Sequence, residues 1–224
     1  MGRIARVVVR HEPHHITQRG VRSMRVFFSD HDRKTYLQLL RAQGDAHGVS
    51  YLAYCLMSNH VHLVAVPKKE DNLGRAIGEA HRRYTRMVNF RQGVRGYLFQ
   101  GRFFSCPLDE AYLLSAVRYV ERNPVRAKLV RHAWEYPWSS ARYHVGLRKQ
   151  DTLVEDRDLF GLVDDWRAYL AIDEELERVD RLRQTTRTGR PCGDVAFVKK
   201  IQRRIGRILL PRKPGPPPQT KPKS

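Results

Sequence analysis

Hydrophobic and polar positions switch between two periods along the first 150 or so residues. HHITQRG reads as a short strand ended by Gly20. In SDHDRKTYLQLLRAQGDAHG, Ser29 or Asp30 is the N-cap, Tyr36, Leu39 and Leu40 follow helical spacing, and Gly48 closes the helix. The apolar run VSYLAYCLMSNHVHLVAV is too long for one ordinary strand and predicts two antiparallel strands broken near Met57–Asn59. Asp71 caps a helix through about Asn89, with Leu73, Ala76, Ile77, Ala80, Tyr84 and Met87 on one face and Arg75, Arg82, Arg83 and Arg86 on the other. GYLFQGRFFSCPL fits either a further strand or an ordered loop. DEAYLLSAVRYVERN is a helix that Pro124 is expected to stop. The pattern predicts an α+β fold, a modest antiparallel sheet with helices packed on it.

Charge adds a partner to this picture. The 42 Lys and Arg residues outnumber 23 Asp and Glu, a formal net charge of +19 that points to a polyanion, nucleic acid first. No apolar run reaches the length of a transmembrane helix, and MGRIARVVVR lacks the apolar core of a secretory signal, so a cytoplasmic protein without a membrane partner is expected. Cys55, Cys106 and Cys192 are odd in number and scattered, which disfavours a disulfide framework or a zinc pair and predicts buried, reduced thiols. Residues 151–182 hold an acidic cluster (Glu155, Asp156, Asp164, Asp165, Glu174, Glu175 and Glu177) with no role evident from the sequence. The last stretch, PRKPGPPPQTKPKS, carries half of the 12 prolines and is expected to be a disordered basic tail. The expected organisation is 1–150 as the principal domain, 151–210 as a helical extension and 211–224 as the tail.

The candidate chemistry lies in SNHVHLV. On a strand, His60 and His62 share one face while Val61 is buried on the other. Two imidazoles on a rigid strand begin a divalent-metal site, although two half-buried structural histidines fit the same spacing. In SAVRYVERNPVRAKLV, Tyr119 and Asn123 stand at i and i+4 and share a helix face. A cation held by two histidines and an amide would then lie near a phenol able to attack a phosphodiester. Tyr119 as a core aromatic beside Tyr112, Ala116 and Val120 is the plainer alternative.

The blocks YCLMSNHVHLV, GEAHRRYTRMVNFRQG, LFQGRF, RYVERNPVRAKLV and YPWSSARYH, in that order, resemble the single-tyrosine HUH transposases, and most closely the branch associated with repetitive extragenic palindromes (REP). The resemblance covers about Arg3 to Gly146, with a weaker match in GRPCGDVAFVKKIQRRIGR. It implies a ferredoxin-like antiparallel sheet, His60 and His62 as metal ligands, Tyr119 as nucleophile, Asn123 as completion of the metal shell, and Mg²⁺ or Mn²⁺ as cofactor. It also implies cutting of single-stranded DNA near a hairpin through a 5′-phosphotyrosine. Ser58 stands where many members have proline, which bears on the turn and not on the metal. The family includes monomers and homodimers that exchange the tyrosine helix, and both arrangements stay open.

Candidate DNA contacts complete the reading. Arg82, Arg83 and Arg86 suit phosphates, or a solvated helix face. Gln18, Arg19 and Arg22 suit unpaired bases at a hairpin foot, and Arg102 with Phe103 and Phe104 offers a cation with stacking rings, at least one of them a core residue instead. A binding module for hairpin DNA or RNA that no longer cuts is the alternative to an enzyme. A basic structural protein explains the charge but not the histidine pair.

Overall fold

The computed structural model describes residues 5–155 and 158–210; the proline-rich tail lies outside the described residues. The chain forms strand β1 (His14–Arg19), helix α1 (Asp30–His47), strands β2 (Val49–Leu56) and β3 (His60–Pro67), helix α2 (Asn72–Gln92), strand β4 (Phe104–Pro107) and helix α3 (Glu110–Glu121). The sheet order is β2-β3-β1-β4, with every neighbouring pair antiparallel. This is the βαββαβ ferredoxin-like topology that the resemblance implies. Helices α4 (Asn123–Arg126), α5 (Ala141–His144), α6 (Trp166–Ala171), α7 (Leu176–Thr188) and α8 (Val195–Ile205) follow.

Local chemistry explains the ends of the elements. Ser29 and Asp32 cap α1 reciprocally: the Ser29 hydroxyl accepts from the Asp32 amide at 3.2 Å, and the Asp32 carboxylate accepts from the Ser29 amide at 3.1 Å. Gly48 closes α1 at φ 64°, a conformation in which a side chain would be strained. Two ends depart from expectation. Asp71 stands at the start of α2 without capping it, because its carboxylate pairs with Arg75 at 2.8 Å instead. Pro124 does not stop a helix either. Helix α3 is interrupted two residues earlier, at Arg122 (φ −82°, ψ 2°), and Pro124 opens the first turn of α4, where its missing N–H costs nothing. The Arg122 amide still bonds to the Arg118 carbonyl at 2.9 Å, and the Arg126 amide to that of Arg122 at 3.0 Å, so Asn123 stays one turn beyond Tyr119.

The sheet separates two layers. Ile16, Tyr54, Val61, Leu63 and Ala65 pack on one side against Tyr36 and Leu40 of α1 and Leu73, Ile77, Ala80 and Tyr84 of α2. On the other side Ala53, Cys55, Val64 and Cys106 pack against Val117 and Val120 of α3 and Val179 and Leu182 of α7. All three cysteines are free and buried, as expected. Among the described residues no helix is long and apolar enough to cross a membrane.

Candidate active site

Strand alternation places His60 and His62 on the α3/α7 side, with Val61 and Leu63 turned into the other layer. The two imidazoles are neighbours, with ring centroids 5.2 Å apart. The Tyr119 ring of α3 meets His62 edge-on at 5.5 Å and His15 of β1 at 5.7 Å. Asn123 lies close enough to His60 to counter part of the fall in its pKa. The fold thus brings together His60, His62, Tyr119 and Asn123. Among the described residues no group of three His, Cys, Asp or Glu side chains converges as a ready metal cage, so a third protein donor for a cation has to come from outside that set.

The donor atoms suit a cation. Asn59 donates its Nδ2 to the Ser23 carbonyl at 3.1 Å, which turns its carbonyl oxygen toward His60 at 2.7 Å from Nδ1. A carbonyl only accepts, so His60 carries its proton on Nδ1 and keeps a lone pair on Nε2. His62 likewise has its Nδ1 engaged, by His15 Nε2 at 3.1 Å. Both rings are held neutral. Burial, then the Arg19 charge, lowers His60 to about 4, partly offset by Asn123. Burial, with His15 and His60 adding to it, drives His62 well below its ordinary value. Burial, followed by Arg126, lowers His15 to about 3. Neutral imidazole is the form that ligates metals.

Tyr119 is surrounded by cations that the sequence reading did not single out. Arg126 lies over its ring at 4.0 Å and donates to its backbone carbonyl at 2.7 Å. Arg183 of α7 donates from Nε to the phenolic oxygen at 3.3 Å. Arg126 stands two turns along the same helical run, a spacing that could have flagged it. Nothing local points to Arg183, 64 residues away. The acidic cluster now has one role: Glu174 pairs with Arg126 and Arg122, and Asp173 with Arg122. The YPWSSARYH block anchors α3 from below. Glu121, fully buried, accepts from the Ser140 hydroxyl at 2.5 Å and meets His144 Nδ1 at 2.6 Å, while Ser140 Oγ accepts from the Tyr54 amide of β2 at 2.9 Å.

The remaining candidates are dispersed. Arg19 pairs in register with His60 and lies at the site. Arg22 follows in a tight turn, Val21–Ser23, at φ 51°. Gln18 faces the opposite layer, 1% exposed, and donates to the Gly101 carbonyl at 3.0 Å. Arg82, Arg83 and Arg86 line the outer surface of α2, across the sheet from the histidines, and Glu79 pairs with the first two at 2.7 and 2.8 Å. Arg102 is exposed just before β4, beside the buried Phe103 and the half-buried Phe104.

Comparison with known proteins agrees with this fold. No curated protein matches the chain. A solved structure described as the REP-associated tyrosine transposase bound to a REP hairpin superposes with a TM-score of 0.56 at 14% identity, covering 70% of this chain and 92% of that one. A putative transposase from Deinococcus radiodurans R1 aligns at 18% identity over 54% of this chain and 96% of its own, with a TM-score of 0.38. The family model "Transposase IS200 like" matches residues 8–123, just over half of the sequence and the span that holds the histidine pair, Tyr119 and Asn123. The chain belongs to the IS200-like transposase family.

Proposed function

We propose that this protein is a metal-dependent, tyrosine-nucleophile enzyme that nicks and rejoins single-stranded DNA beside a REP-like hairpin. The observation that carries this reading is the contact of the Tyr119 ring with His62 in a site walled by Arg126 and Arg183. His60, His62 and Asn123 would hold Mg²⁺ or Mn²⁺, which when bound supplies charge to polarise the scissile phosphate. Arg183, donating to the phenolic oxygen, fixes the direction in which the attacking group points. The Tyr119 oxygen forms a bond to phosphorus as the P–O3′ bond breaks. The phenolic proton balances the released 3′-hydroxyl, and the phosphotyrosine keeps the bond energy for rejoining. Arg19, Arg22 and Arg102 supply phosphate and base contacts on the strand's approach, and the outer arginines of α2 add sequence-independent attraction. Residues 1–150 form the nuclease unit, and the extension 151–210 lends it Arg183. The structural likeness to a hairpin-bound transposase supports the choice of substrate.

A labelled single-stranded hairpin oligonucleotide, incubated with the protein and Mg²⁺ or Mn²⁺, tests this on a denaturing gel. The expected product is a covalent protein–DNA adduct that Tyr119→Phe abolishes, a loss of about 1,000-fold or more. Tight binding of the cognate hairpin with no cleavage under either metal overturns it in favour of a silent binding protein.

A further inference from the structure

We infer that Thr186 and His15 form a positioning relay through which helix α7 sets the tautomer of His62 and so keeps its Nε2 free for a metal. The inference rests on the role proposed above for His62. Three buried contacts carry it. The Thr186 hydroxyl lies 2.7 Å from the Leu182 carbonyl and 2.7 Å from His15 Nδ1, and His15 Nε2 lies 3.1 Å from His62 Nδ1. The His15 and His62 rings are 8° from parallel with centroids 5.3 Å apart, a spacing that fits rings joined edge to edge by an in-plane N–H···N bond.

Only two proton arrangements satisfy this chain. In one, Thr186 donates to the Leu182 carbonyl, His15 donates from Nδ1 to the threonine oxygen, and His62 donates from Nδ1 to His15 Nε2. In the other, every proton is reversed: Thr186 donates to His15, His15 donates from Nε2, and His62 carries its proton on Nε2, where it blocks ligation. The Leu182 carbonyl decides between them. It has no proton to offer, so a hydroxyl oxygen 2.7 Å away that did not donate to it would set two lone pairs against each other. Thr186 therefore spends its one proton on Leu182 and accepts from His15. Its second lone pair faces the Cys106 thiol at 3.2 Å, so the oxygen is fully satisfied in this arrangement. His62 then carries its proton on Nδ1 and its lone pair on Nε2, the same state that Asn59 imposes on His60. The two ligands are thus set from separate places, one by the neighbouring loop residue and the other by a helix 171 residues from His15 in sequence. Partners that hold a ligating histidine in this way typically change metal affinity by about 10–100-fold when removed.

The full-length protein, ¹⁵N-labelled on histidine and free of metal, tests the relay by long-range ¹H–¹⁵N correlation, which separates the two neutral tautomers. Wild-type His62 is expected as the Nδ1–H form. Thr186→Val, which removes the acceptor at equal size, is expected to shift His62 toward Nε2–H and to weaken Mn²⁺ binding by about 10–100-fold in titration. Thr186→Ser is expected to restore both. An Nε2–H form of His62 in the wild type overturns the relay without any variant, and so does an unchanged tautomer in Thr186→Val. A wild-type Mn²⁺ affinity no better than that of His62→Ala refutes the ligand role of His62, whereas a tautomer shift in Thr186→Val upholds the relay in either case.

Discussion

The two sides of the sheet each bury a histidine, and they use it differently. Against α1 and α2, His81 is stacked on Phe99 at 4.4 Å, and its Nε2 meets the Tyr36 hydroxyl at 2.8 Å. The neighbouring Tyr84 hydroxyl donates to the Val26 carbonyl at 2.7 Å. His81 and Tyr84 thus both end on partners within that layer. Against α3 and α7, the hydrogen bonds of His60 and His62 occupy Nδ1 of both rings and leave Nε2 of both beside Tyr119, Asn123 and two arginines. The difference separates a histidine whose hydrogen bonds close within the core from one that keeps a ring nitrogen open. Both are desolvated and neutral, so burial alone does not tell them apart; where the chain of hydrogen bonds ends does.

Exchanging the roles of the two layers is the strongest way to break the comparison. His60→Ala or His62→Ala is expected to lower adduct formation per folded molecule by at least about 100-fold. His81→Ala is expected to do the reverse, costing about 2–3 kcal/mol in denaturant unfolding through a cavity and an orphaned Tyr36 hydroxyl, with adduct yield per folded molecule unchanged. Equal effects of both on cleavage would dissolve the distinction. A second probe of the first layer is Asp32, whose fully buried carboxylate caps α1 and pairs with Arg91 of α2 at 3.0 Å. Burial raises this carboxyl, but the Arg91 and backbone bonds outweigh it and hold it below the ordinary range. Asp32→Ala should cost about 2 kcal/mol of stability, read as a lower urea midpoint.

A separate test of the first layer is in pH. Burial lowers His81 to about 3, and it lowers His14 to about 4, against the Glu12 carbonyl bond that raises it. In the unfolded chain both titrate near ~6.5. Between those values the unfolded chain binds more protons than the folded one, so stability rises with pH there. Full stability is expected above about pH 6.5 and a progressive loss as pH falls toward 4, visible as a falling melting temperature. His14→Gln should flatten part of that slope. A pH-independent melting curve over this window would show that these rings accept a proton in place.

Much of this architecture could be read from local pattern. Alternation put His60 and His62 on one face, and capping chemistry at Ser29 and Gly48 bounded α1. The i, i+4 relation of Tyr119 and Asn123 survived a break at Arg122, because the backbone bonds continue through it. Gln18 was legible in principle: as a strand neighbour of Arg19 it has to face the other layer. Arg183 and Thr186 were not legible, since they meet Tyr119 and His15 only through the packing of α7 on the sheet, and no periodicity encodes that contact. The acidic cluster was visible as composition, and only the fold shows its pairing with Arg122 and Arg126.

The long span between His15 and Thr186 also bears on timing. Strand β1 leaves the ribosome early and α7 late, at roughly 5–20 residues per second. The sheet, both histidines and the tyrosine helix are all synthesised before the residue that holds His15 in place. A nascent chain therefore carries every reactive group for some seconds before the last contact of the site can close. For a protein whose proposed chemistry breaks DNA strands, that order of emergence puts the closing of the proposed site late in synthesis.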